Sequence, residues 1–214
     1  MERIVPRGAG AALLLLLAAF SFPDQVGVYG WAVLGITLYQ SCTDVAARQI
    51  AVIAVRSQEG RRFLRKFASR SGAYGSAAMT VVLAALVNFV PPELKLSAIS
   101  LAPLIAVPVI TSMGIAAVAR LQVAQRWQYL ARGQVIGGLA ALAITAPILV
   151  FTHSIGAAAL QPLLAEGFVT AWARFGARSV PLEMNGDVRA FRRGIGFLSA
   201  DGVLGWSQAQ LDRV

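Results

Sequence analysis

A carboxylate and a guanidinium, Asp44 and Arg48, stand four residues apart within a long apolar run, and a second carboxylate, Glu166, interrupts another. Four residues is close to one helical turn, so Asp44 and Arg48 share a face and lie within pairing distance. Thr37, Gln40 and Ser41 extend the same stripe: with Asp44 and Arg48 they occupy relative positions 0, 3, 4, 7 and 11. In apolar surroundings an ionised side chain costs several kcal/mol unless it is paired or faces water, so the stripe should face a protein interior or a cavity. Two readings stand side by side. Either the stripe lines a cavity that handles a substrate or an ion, or the two charges neutralise each other and hold helices together. Glu166, one turn before Thr170 and a turn and a half after Gln161, is likewise either an ion-coupling carboxylate or a protonated, hydrogen-bonded group.

Other chemistries lack material. Cys42 and His153 are the single cysteine and histidine, which excludes a disulfide framework and a cysteine-based metal site and leaves little for a zinc or Ser-His centre. No phosphate-binding glycine loop or dinucleotide fingerprint occurs. No catalytic residue, metal or cofactor is expected, and the chain does not read as an enzyme.

The elements that must position these residues are apolar segments. A composition of 57% hydrophobic and 14% charged residues, with mean hydropathy +0.66, is foreign to a soluble domain. Residues 71–90, 96–119 and 133–152 contain no Asp, Glu, Lys or Arg, and each suits the ~20 helical residues that cross a bilayer core. Residues 28–55 and 156–173 belong to the series once Asp44, Arg48 and Glu166 are allowed. Residues 8–22, preceded by Arg3 and Arg7, could be a signal peptide but read better as a first span, because the cleavage site is poor and further spans follow at once.

Basic residues test the count, since Lys and Arg in short loops stay on the cytoplasmic side. They crowd before the first segment, between the second and third (Arg56 to Arg70), between the fourth and fifth (Arg120, Arg126, Arg132) and after the sixth (Arg174 to Arg193). The alternate gaps hold only Lys95, and Arg48 and Arg213 fall within apolar segments. Six transmembrane helices with a cytoplasmic N-terminus solve this pattern: an all-α, polytopic membrane bundle in contact with the lipid bilayer. The same bias explains the net charge of +9 and pI near 11, so no nucleic-acid partner is expected. Pro103, Pro108, Pro147 and Pro162 fall inside spans and predict kinks.

Three passages resemble the bacterial polysaccharide flippases of the multidrug/oligosaccharidyl-lipid/polysaccharide exporter superfamily. PDQVGVYGW at 23–31 looks like the family's first external turn leading into helix two and the Asp44–Arg48 segment. LQVAQRWQYLA at 121–131 is similar to its link between helices four and five. FRRGIGFLSADGVLGWSQAQLDR at 191–213 looks like the opening of helix seven. The resemblance covers nearly the whole chain and implies one lobe of a two-lobe fold. Residues 1–190 would form the N-terminal six-helix lobe and 191–214 the start of a truncated seventh helix, inactive alone. It further implies movement of a polyprenyl-pyrophosphate-linked oligosaccharide across the bacterial cytoplasmic membrane by alternating access. Arg48 and Arg213 would then replace hydration of the phosphates, with Gln40 and Gln161 as further substrate-binding residues. Asp44 and Glu166 would couple a proton or sodium ion. Two alternatives stay open. One is a non-catalytic membrane subunit or remnant. The other is a membrane-embedded enzyme of lipid or glycan assembly, for which Asp44-Val-Ala-Ala-Arg48 has the wrong spacing and lacks the expected glycine.

Overall fold

The computed structural model describes the backbone of residues 4–55 and 58–180, and within them the side chains of residues 10–40, 51, 52, 54, 55 and 58–180. The expected start of a seventh helix at 191–214 lies outside the described residues. Every described element is helical: α1 (Ile4–Phe20), α2 (Pro23–Ala54), α3 (Gln58–Phe89), α4 (Lys95–Ile99), α5 (Val107–Val123), α6 (Trp127–Thr152) and α7 (Ile155–Ala177), with 3₁₀ turns at Pro92–Leu94 and Ala102–Ala106. Among the described residues, three stretches are long and apolar enough, by length and composition, to cross a membrane: Gln58–Phe89, Ala102–Val123 and Trp127–Thr152. The surface agrees with a lipid environment. Leu15, Trp31, Val81, Phe89, Phe151 and Phe175, from five different helices, are each between 67% and 89% exposed, an apolar display that water does not favour.

Helix boundaries follow local chemistry. Pro23 opens α2, where its missing N–H is no loss, and Asp24 in the first turn complements the helix dipole. Pro91 and Pro92 end α3. His153 ends α6 in the left-handed conformation (φ 50°), its N–H bonded to the Leu149 carbonyl at 2.8 Å, and the Ser154 hydroxyl then accepts from the Gly156 N–H to cap α7.

The continuous span expected over 96–119 is a correction. The chain there forms α4, a 3₁₀ turn and α5 in succession. Pro103 and Pro108 each remove an N–H, and neighbouring helices donate to carbonyls along the broken stretch: Ser76 Oγ to Ile105 O at 2.6 Å, Tyr39 Oη to Pro108 O at 3.2 Å and Thr170 Oγ1 to Ile110 O at 3.2 Å. Pro147 and Pro162, by contrast, sit inside unbroken helices. Pro162 leaves the carbonyl four residues earlier, that of Ala158, without its helical donor. The buried Tyr29 hydroxyl donates to that oxygen at 3.4 Å.

Core clusters show the bundle's two ends. One large cluster joins the end of α1 (Leu13, Leu17), the start of α2 (Val28, Tyr29), the second half of α3 (Met79, Leu83), α4, and the α6–α7 junction (Leu149, Ile155). Two smaller clusters form the other end. One holds Ala51, Ala54, Val55, Leu64, Ile115 and Ala119, and the other Leu121, Leu130, Ala173 and Ala177. Successive long helices therefore alternate in direction. α5 is central, packing on α2, α3 and α7, while α1 packs chiefly on α6.

Candidate functional site

Two of the residues singled out by the sequence meet. Gln40 on α2 donates from Nε2 to Oε1 of Glu166 on α7 at 3.3 Å, in a part-buried position. α2 and α7 arrive there because both pack against α5, which small residues make possible. A Cβ on Gly75 of α3 would strike the Tyr39 ring of α2, and one on Gly114 of α5 would lie 2.8 Å from Thr170 Oγ1 of α7.

The other candidates fare differently. Gln161 is buried, 8% exposed, but five residues before Glu166 it is turned about 140° away at 3.6 residues per turn, so the two do not share a face. Thr37 is exposed and its hydroxyl donates to Val33 O in its own helix, so the stripe on α2 is not interior along its whole length. Asp44 and Arg48 belong to α2, but their side chains lie outside the described residues, and Arg213 lies outside them altogether. Among the described residues no cluster of His, Cys, Asp and Glu is suited to hold a metal.

A second feature was not singled out from the sequence. Between α3, α5 and α7 lies a cleft of about 580 Å³. Arg65, Arg120, Arg174 and Arg178 line it together with Leu64, Ala68, Ala73, Val109, Met113 and Ala116, and among the described residues no carboxylate lines it. Arg65 is near the start of α3, Arg120 near the end of α5, and Arg174 and Arg178 at the end of α7, so alternation of helix direction brings all four to one end of the bundle. The Nε of Arg120 is buried without a hydrogen-bond partner. Beside the cleft, α6 and α7 are locked by a reciprocal pair: Tyr129 Oη donates to Trp172 O at 3.3 Å, Trp172 Nε1 donates to Tyr129 O at 3.1 Å, and the rings stack at 5.1 Å. The cleft can accept an anion at its arginine end and apolar groups along its wall.

No family model, curated protein or solved structure matches the chain.

Proposed function

We propose that the chain is a six-span membrane lobe of a flippase that moves a polyprenyl-pyrophosphate-linked oligosaccharide across the bacterial cytoplasmic membrane, with its N-terminus in the cytoplasm. The observation that carries the reading is the hydrogen bond from Gln40 to Glu166. It joins two helices far apart in sequence through polar side chains placed within apolar segments, where such groups are costly and mark substrate or ion pathways by default. The exposed apolar residues of the helices and the segregation of arginines to one end support placement in a membrane. Glu166 is the coupling carboxylate in this reading, and Asp44 and Arg48 continue the same α2 face toward the basic end. The protein positions and carries its substrate and performs no bond chemistry.

The test is depletion of the protein in its host. Surface glycan should fall while the lipid-linked oligosaccharide accumulates on the cytoplasmic leaflet, and Glu166→Gln should reproduce both effects at normal protein abundance. Unchanged surface glycan on depletion would sink the reading.

A further inference from the structure

We propose that the cleft between α3, α5 and α7 binds an anionic phospholipid of the surrounding membrane, with the phosphate held by its arginines and an acyl chain laid along its apolar wall. Four guanidinium groups line one cleft, and among the described residues no carboxylate lines it to neutralise them. A buried guanidinium nitrogen without an acceptor costs the full desolvation of that group, and Arg120 Nε is such an atom. Phosphate oxygens supply acceptors for the guanidinium groups that line the cleft, and the planar fork of Arg suits them.

The shape selects a lipid over a soluble anion. From Arg65 to Ala73 on α3, and from Arg120 to Val109 on α5, the lining runs ~12 to ~16 Å along the helices at 1.5 Å per residue. Apart from Ser69 and Ser112 that wall is apolar, and Val109 and Met113 on it are 39% and 48% exposed, awaiting cover that inorganic phosphate does not provide. The arginines stand at the end of the bundle that the distribution of basic residues assigns to the cytoplasm. There the leaflet is rich in anionic lipid, and basic pockets between helices capture its head groups. Neither Gln40 nor Glu166 lines the cleft, so it is separate from their contact, and the proposal stands or falls apart from the transport reading.

The experiment uses the 214-residue protein in detergent, read by native mass spectrometry and thermal shift on addition of phosphatidylglycerol, phosphatidylcholine with the same acyl chains, or inorganic pyrophosphate. Phosphatidylglycerol should remain bound and raise the unfolding midpoint, while the other two should do neither. Arg120→Gln combined with Arg174→Gln should weaken phosphatidylglycerol binding about 25-fold, at about fivefold per charge near an anionic surface. Arg132→Gln, on α6 and outside the cleft, should leave it unchanged. Ala116→Phe, which fills the apolar wall with every charge kept, should also displace the lipid, and it carries the test if the double variant does not fold. Equal binding of both phospholipids, equal loss in Arg132→Gln and the double variant, or lipid retention in Ala116→Phe would each overturn the proposal. So would a pyrophosphate response as large as that to phosphatidylglycerol, which would make the cleft a soluble-anion site.

Discussion

Single hydrogen bonds decide more in this bundle than its apolar bulk suggests, because helices in lipid gain nothing from hydrophobic contact with one another that they would not gain from lipid. Tyr29 and Pro162 make a matched pair. The proline orphans the Ala158 carbonyl and the phenol supplies its donor. Tyr29→Phe should therefore lower stability by about 0.6 kcal/mol, with about 1.7 kcal/mol as the upper range for such bonds. In a Pro162→Ala background, where the restored N–H serves Ala158, the same change should cost nearly nothing. A double-mutant cycle on unfolding in detergent measures the coupling, and additive effects would show that the phenol does not compensate for the proline. At Glu166, replacement by Leu strands the amide of Gln40 and should cost about 1–3 kcal/mol. Glu166→Gln keeps an acceptor and should cost less, so thermal midpoints of the two variants rank the effect. Residue types alone marked Gln40, Glu166 and Gln161 as notable, but they did not show which of them meet. Gln40 and Glu166 are brought together by packing of α2 and α7 on α5, whereas Gln161 differs from Glu166 by a rotation about its own helix axis.

The expected span at 96–119 shows where reading by element succeeds and where it stops. The uncharged run 96–119 correctly announces helical structure, and its prolines announce an irregularity. Whether the helix bends or breaks depends on donors elsewhere in the fold. Ser76, Tyr39 and Thr170 are on three other helices, and nothing local in 96–119 points to them. α6 carries Pro147 unbroken, so proline alone does not decide the outcome. The contact of α5 with α7 gives this a measurable form. Gly114→Ala would place a methyl 2.8 Å from Thr170 Oγ1, forcing Thr170 from its bond to Ile110 O. Overpacking of this kind costs about 1–3 kcal/mol. Gly114→Ala should lower the unfolding midpoint, and adding Thr170→Ala, which removes the obstructing hydroxyl, should recover part of the loss. A Gly114→Ala protein as stable as the parent would mean that α5 and α7 do not approach as closely as described.

For the molecule as a whole, the two ends differ in charge and in packing, and both differences belong to one topology. Phe20, the end of α1, meets His153 at the α6–α7 turn, where His153 Nδ1 lies 3.2 Å from the Phe20 carbonyl. Lys95, the start of α4, belongs with this end, which shares the large core and carries few charges. At the opposite end the core divides in two, and the arginine cleft opens beside the division. Counting basic residues by gap anticipated the segregation of charge. It did not anticipate the cleft, because each arginine satisfies the positive-inside rule by itself and only antiparallel packing of α3, α5 and α7 makes the four a group. The spacing of Arg65, Ala68 and Gly72 on one face of α3 is the trace of it in the sequence. Orientation is open to direct test. A reporter active only in the cytoplasm, fused after Arg62 or Arg126, should be active, and fused near Lys95 or His153 it should be silent, with a periplasm-dependent reporter giving the reverse. A variant with Arg120, Arg174 and Arg178 all changed to Gln removes part of the basic excess from that end, yet Arg61, Arg62, Arg65, Lys66 and Arg70 remain, so its reporters should keep the same pattern. A silent cytoplasmic reporter at Arg62 in the parent protein would invert the topology and carry the arginine cleft to the external face, away from the anionic leaflet that its charge requires.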